Sequence, residues 1–386
     1  MNNLRDKACI VGIGETAYAR RGSKSAPHMV FEAIQKACDD AGIRVQDVDG
    51  IIQMSGGEVY NVSAKEVQEN FGIKDLKFLA TAPVGAGTAV CGAAGLATMA
   101  LDAGMCTNVL VWHLNDWGVS SFSPGASHDV EHNKHDFETP YGWYGQPAHL
   151  AMCARRHMAE FGTKSEQLGA IAVKLREHAR LHGNAAYTQP ITLDDYLASR
   201  YVAEPLRLFD CCIVADGAGA FVMSTPDRAK DRRKPPVYFM GLGMATNDRG
   251  WYWAQQPDLT HTWAKHSAPR AYAMAGVGPK DIDFLQAYDC FTWVVLSTIE
   301  DHGFCAKGEG GAFVEGGANI SVGGRLPLNT SGGMLSQAYL QGMNHLCEAV
   351  RQLRGEAAAT QIPGCEIGLV GGYAGLAYAS LILRKA

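Results

Sequence analysis

No stretch of this chain approaches the roughly 20 consecutive apolar residues that span a bilayer. Its opening, MNNLRDKACIVGIGETAYARRG, has no apolar run followed by a cleavage site. Neither a membrane span nor a secretory leader is expected, and the sequence reads as that of a cytoplasmic protein. Charge of one sign is also scarce. The 34 Lys and Arg stand against 39 Asp and Glu, a net charge of −5, so there is no basic field to gather nucleic acid or coat an anionic membrane. Cysteine is present without a pattern: eleven residues, an odd number, with Cys211 and Cys212 adjacent and no CxxC pair. That excludes an oxidised framework and a zinc site, and leaves reduced thiols buried as small hydrophobes. Neither GIGETAYARRG nor GLGMATNDRG completes GxGxxG, and there is no Walker motif and no GxSxG. Dinucleotide, ATP and serine-hydrolase chemistry therefore have no support.

What is there begins with size. At 386 residues, 47% hydrophobic and 19% charged, the chain buries a large core in two domains or one large double domain. It also repeats itself. Ala41 to Asp49 reads AGIRVQDVD and Ala275 to Asp283 reads AGVGPKDID, with Ala-Gly, Asp, an aliphatic residue and Asp at the same offsets. Each copy follows an apolar run, ACIVGIG or VYFMGLG, and a helical stretch, and precedes a strand, IIQMSG or FLQAYDCF. Ser25 with Pro27 predicts a helix start, and Gly42 its stop. Later in the first half, the small-residue run Gly85–Gly104 predicts a tightly packed helix and NVLVWH a buried strand. The second half answers with GGMLSQAYLQGMNHLCEAVRQL as a helix carrying both Tyr339 and His345, and IGLVGGYAGLAYASLIL as a strand. Parallel strands alternating with helices, twice over, imply two α/β halves packed together. The halves are drawn at 1–232 and 233–386. Asp227–Pro236 reads as a solvated linker, and the stretch from about 115 to 201 as a loop or lid insertion.

Five segments then carry a resemblance: CCIVADGAGAFVMS, AYDCFTWVVLSTIEDHGF, KGEGGAFVEGG, LNTSGGMLSQAYLQGMNH and LVGGYAGLAYASLIL. Together, in this order, they resemble the thiolase superfamily, in the branch of the sterol-carrier-protein-x thiolases and the steroid side-chain-cleaving aldolases. The resemblance covers nearly the whole chain and implies the five-layered α-β-α-β-α thiolase fold, without a fused lipid-carrier domain.

Thiolases use a nucleophilic cysteine at the start of the small-residue helix, histidine or asparagine partners, and a second cysteine near the C-terminus. Here the first position falls in TAPVGAG, at Val84 and Gly85; Cys91 lies about two helical turns further on. The partner positions hold Tyr288 and Tyr339, and the C-terminal position holds Leu369 or Val370. Without a thiolate there is no acyl-enzyme. A fold that binds acyl-CoA and presents two phenols suits a retro-aldol instead. The resemblance thus implies cleavage of a β-hydroxyacyl-CoA side chain, of a steroid, to a ketone or aldehyde and acetyl-CoA or propionyl-CoA. Tyr288 and Tyr339 are the expected acid/base and oxyanion pair, with one phenol shifted below its ordinary value near 10 to serve as base. Asp289 and His345 are expected to orient them. Gly332, Gly333, Gly371, Gly372 and Tyr373 are the expected substrate contacts, with Gly375 as a further close-approach glycine.

No metal and no cofactor are expected beyond CoA as part of the substrate. The crowd of His128, Asp129, Glu131, His132 and His135 fits no zinc spacing and reads as a solvated loop. Trp251, Tyr252 and Trp253, with Trp143 and Tyr144, offer flat apolar surfaces for a steroid-sized pocket or an interface. The resemblance further implies a small OB-fold, acyl-CoA-associated partner protein around a homodimer, as a heterotetramer. Two rivals stand beside the aldolase. One is a degradative thiolase with a relocated cysteine, Cys91 or Cys290; the other is a non-catalytic acyl-CoA-binding scaffold.

Overall fold

The computed structural model describes residues 3–22, 24–54, 62–82, 85, 87–120, 138–143, 145–230, 232–247 and 256–386. Val84, Tyr144, the cluster from His128 to His135, and Trp251, Tyr252 and Trp253 lie outside the described residues. The main sheet has nine strands: β1 (Cys9–Glu15), β2 (Gly50–Gln53), β3 (Phe78–Thr81), β4 (Asn108–Asp116), β7 (Asp216–Ser224), β8 (Val237–Thr246), β9 (Phe284–Gln286), β10 (Ile367–Tyr373) and β11 (Ala377–Arg384). Strands β5 (Tyr201–Ala203) and β6 (Leu206–Arg207) form a separate ribbon. The sheet order is β3-β2-β4-β7-β1-β8-β11-β10-β9.

Read outward from the β1–β8 junction, the two sides match. Strands β7, β4 and β2 follow β1 as β11, β10 and β9 follow β8, with antiparallel, antiparallel and parallel pairings in both series. The sheet is therefore mixed rather than purely parallel. The final run IGLVGGYAGLAYASLIL is a hairpin of two strands, turned at Gly375 with φ +65°. The junction is narrow, pairing only Cys9 with Tyr238 and Ile10 with Val237. Between Ser224 and Val237, where the linker was expected, the chain makes one short helical turn, Pro226–Ala229.

Eight helices of two turns or more accompany the strands among the described residues: α1 (Ala26–Ala41), α2 (Ala64–Phe71), α3 (Thr88–Asp102), α4 (Gln146–Phe161), α5 (Ser165–His182), α6 (Ala264–Ala275), α7 (Thr292–Asp301) and α8 (Met343–Arg354). Helix α1 covers β1, β7 and β4 from outside, and α6 covers β8 and β11. Helices α3 and α8 lie between the two sheet halves and touch strands of both, which completes the five layers. Helix α3 is Ala- and Gly-rich and buried along most of its length, as a helix between two sheets requires. Helices α4 and α5, inside the expected insertion, bury Leu150, Ile171 and Leu175 in the same cluster as Trp293 and Leu296 of α7.

The internal repeat has a stereochemical reason. Gly42 and Gly276 end α1 and α6 with φ +68° and +65°, a conformation that costs glycine least. The next Asp of each copy, Asp47 or Asp281, accepts the backbone N–H of Arg44 or Gly278. The last, Asp49 or Asp283, binds two N–H groups at the start of the neighbouring strand: Thr107 and Asn108 at 2.7 and 2.8 Å, and Glu366 and Ile367 at 2.7 and 2.9 Å. The glycines of GIG and GLG serve helix packing. A Cβ at Gly14 would lie 2.2 Å from the Ala33 carbonyl of α1, and one at Gly243 1.9 Å from the Ser267 carbonyl of α6.

Candidate active site

Tyr288 stands just beyond β9, where the chain turns toward α7. The turn is pinned by Asn329, whose side-chain oxygen accepts the Ala287 N–H at 2.7 Å while its amide donates to the Ala287 carbonyl at 2.9 Å. Asn329 holds φ +41° to do so. Tyr288 is 2% exposed, and its ring lies across the start of α3. A Cβ on Gly87 would fall 2.2 Å from that ring, and one on Gly372 2.4 Å from the Gly87 carbonyl. The close approach therefore needs glycine on both sides.

Tyr339 comes from the opposite wall. The run expected as one helix breaks into a short turn, Gly333–Ser336, a connecting segment holding Tyr339, and α8, which starts after Gly342 with φ +95°. The break is what lets Tyr339 and His345 approach Tyr288 from different sides rather than lie along one helix face. The Tyr288 and Tyr339 hydroxyls are 3.0 Å apart, with the rings edge to face at 6.4 Å. Tyr339 stacks on Trp117 at 4.7 Å, and its carbonyl accepts the Asn115 amide at 2.9 Å. Asn115 in turn accepts the Trp117 N–H at 3.0 Å. Asn115 and Trp117, at the end of β4, are site residues that the sequence reading passed over. Their only signal was polar and aromatic residues directly after a buried strand.

Asp289 and His345 lie behind the phenols. The buried Asp289 carboxylate accepts the N–H groups of Met334 and Leu335 at 2.8 and 3.1 Å and the His345 Nε2 proton at 2.8 Å. Gly333 is required there, because a Cβ would sit 2.2 Å from an Asp289 oxygen. The His345 imidazole runs parallel to the Tyr288 ring at 6.5 Å. These two are positioning residues: they fix the loop that carries Tyr339 and the helix that flanks Tyr288. Gly332, at φ +96°, packs on Ala179; Gly371 leaves room for the Tyr378 hydroxyl. Tyr373 is buried, its ring 6.3 Å from Tyr288 and its hydroxyl without a partner among the described residues.

The chain as a whole is similar to proteins of known family. Residues 245–384 match the family model described as Thiolase C-terminal domain-like. A steroid side-chain-cleaving aldolase of Thermomonospora curvata is 35% identical, the match covering 92% of each chain. The chain belongs to the thiolase superfamily, in the branch of the steroid side-chain-cleaving aldolases. The 17-hydroxy-3-oxo-4-pregnene-20-carboxyl-CoA lyase of Mycobacterium tuberculosis is also 35% identical, over 98% of this chain and 100% of the lyase. An acetyl-CoA acetyltransferase of Methanothermobacter thermautotrophicus follows at 32%, over 99% of this chain and all of the relative. The solved Ltp2-ChsH2(DUF35) aldolase superposes with a TM-score of 0.91 at 35% identity, covering 100% of this chain and 99% of that one.

Within this superfamily the thiols decide what chemistry is open. All eleven cysteines are free. Burial pushes the Cys91 thiol up to about 12, and Cys91 donates to the Val370 carbonyl. Cys290 is raised well above its ordinary value, by burial and then by the neighbouring Cys212 and Asp289. Neither supplies a thiolate near neutral pH. Leu369 and Val370 are buried strand residues of β10. The phenols differ from the expectation in one respect. Burial, then the charge and hydrogen bond of Tyr339, pushes Tyr288 well above its ordinary value, so Tyr288 stays protonated near neutral pH. The N-terminal ends of α3 and α8 converge on it: Gly87 caps the first, and Gly342, which caps the second, has its Cβ position 3.9 Å from the ring. Two positive helix ends favour a negative charge developing between the phenols. Among the described residues no group of three or more His, Cys, Asp or Glu is placed to hold a metal ion, and no helix is long and apolar enough to cross a membrane.

Proposed function

We propose that this protein cleaves the side chain of a steroid β-hydroxyacyl-CoA by a retro-aldol reaction, giving a steroid ketone or aldehyde and acetyl-CoA or propionyl-CoA. The observation that carries the reading is the hydrogen-bonded pair Tyr288 and Tyr339, 3.0 Å apart, in a site whose cysteines are protonated and buried. Tyr339 is the base. Its phenolate is stabilised by the hydrogen bond from the more deeply buried Tyr288, which remains a neutral donor. Tyr339 takes the β-hydroxyl proton, the Cα–Cβ pair of electrons moves into the thioester as an enolate, and the carbinol carbon leaves as a carbonyl. The same proton returns to Cα, so no covalent intermediate and no free CoA enter the balance. Tyr288 and the two helix ends stabilise the oxyanion. CoA enters only as part of the substrate.

The partner expectation has support of the same kind. The solved aldolase it resembles is a complex with a DUF35 chain, and we infer a small OB-fold partner here too. A homodimer is supported by β3, which among the described residues pairs only with β2 and leaves Leu79 58% exposed at the sheet's edge.

The test gives the co-expressed complex a steroid β-hydroxyacyl-CoA alone and, separately, the matching β-ketoacyl-CoA with free CoA. Ketone or aldehyde released from the first without CoA establishes the aldolase. Cleavage of only the second, and only with CoA, would instead make this a thiolase, as the acetyltransferase relative favours.

A further inference from the structure

A cavity of about 150 Å³ lies against Tyr373, with Cys153, Leu259, Trp263 and Leu376 also on its wall. Two independent observations mark it. Its wall is largely carbon, and it includes Tyr373, a phenol 3% exposed whose hydroxyl has no partner among the described residues. A buried hydroxyl left unpaired costs about 1–3 kcal/mol and calls for a reason. A mostly apolar cavity with a few polar groups to fix orientation is the usual form of a small-molecule pocket, and here Asp258, His261, Thr262 and Lys265 share the wall with Tyr373. The Tyr373 ring is also 6.3 Å from that of Tyr288, so the cavity adjoins the place where the bond breaks.

We propose that this cavity receives the ring that carries the carbinol carbon, the part of the substrate that leaves as ketone, and that the Tyr373 hydroxyl binds the oxygen on that carbon. The assignment rests on the aldolase reading and deepens it. Charge and size select the occupant. At the rim Lys265 is paired with Asp258 at 3.5 Å, Asp258 also faces His261 at 3.5 Å, and burial with the neighbouring cations pushes His266 below its ordinary value, so among the described residues no unpaired permanent cation is left there to neutralise the phosphates of a CoA nucleotide. A cavity of about 150 Å³ holds a molecule the size of benzene. One five- or six-membered ring fits; a whole steroid nucleus does not, and its remaining rings extend past Trp263.

Two variants and two substrates test this in the co-expressed complex. One substrate has its carbinol carbon in a steroid ring; the other is 3-hydroxy-3-methylbutanoyl-CoA, which releases acetone. Leu376→Trp, which narrows the cavity, is expected to lower kcat/KM at least 100-fold for the ring substrate and less than threefold for the acyclic one. Tyr373→Phe removes only the unpaired hydroxyl. A structural role predicts unchanged kinetics and an equal or higher Tm; substrate contact predicts a tenfold or greater rise in KM for the ring substrate with Tm unchanged. If both variants treat the two substrates alike, the assignment is overturned and the aldolase stands. If the wild-type complex cleaves neither substrate, the aldolase reading falls and this assignment with it.

Discussion

At the scale of single residues, the chemistry rests on which groups hold protons. Tyr288→Phe and Tyr339→Phe each remove one hydroxyl from the hydrogen-bonded pair. Loss of a positioned acid or base costs about 10²–10⁴-fold, so kcat for the hydroxy substrate is expected to fall by that factor in either variant, with thermal unfolding near that of the wild type. Retained activity in the double variant would overturn the assignment of the chemistry to these two phenols. The thiols make the complementary prediction. Because burial holds Cys91 at about 12 and raises Cys290 well above its ordinary value, treatment of the folded complex with iodoacetamide is expected to leave aldolase activity intact, read by product mass before and after alkylation. Tyr288, Tyr339, Asp289 and His345 were all legible in the sequence because they occupy motif positions. Trp117 and Asn115 were not, since the Asn115 contact joins residues 224 positions apart and no local pattern encodes it. The direction of the Tyr288 shift was hidden for the same reason, burial being a property of the assembled site.

At the scale of elements, the repeat was readable because its devices are local. A glycine that ends a helix, an Asp that caps the next turn and an Asp that clasps the neighbouring strand recur at fixed offsets, whereas mixed strand direction is set by distant partners and left no trace in either copy. The packing of α6 on β8 gives a direct test. At Gly243 an added methyl meets backbone, 1.9 Å from the Ser267 carbonyl, so Gly243→Ala is expected to destabilise by about 1–3 kcal/mol or more, measured by urea unfolding. The C-terminus of α7 adds a pH term. His302 is buried among Thr298, Ser380 and Tyr378. Its Nδ1 proton goes to the Thr298 carbonyl and its Nε2 accepts from Ser380. Burial pushes it down to about 4, against about 6.5 in an unfolded chain. Between pH 6.5 and 4 the unfolded state therefore binds the extra proton, and stability falls as pH falls, by about 3 kcal/mol over the whole window. His302→Gln is expected to flatten that part of the profile, measured as unfolding free energy at pH 7, 5.5 and 4.5.

At the scale of the whole molecule, the sheet has two ends and they are treated differently. At one end β9 is bridged to Leu328 through Leu285, so its outer side is occupied by the chain itself. At the other end β3 presents a row of backbone groups with Leu79 and Thr81 outward and Phe78 and Ala80 half-buried. An open edge with an exposed leucine is a template for another strand, and a second copy offering the same edge satisfies both rows at once, which is the self-complementary geometry of a two-fold dimer. Putting a charge there opposes that pairing without touching the phenols. Co-expressed with its small partner, the wild-type chain is expected to sediment with the mass of two copies of each protein, and Leu79→Lys with the mass of one of each. A Leu79→Lys complex that keeps the full mass would show that the dimer is built on another face.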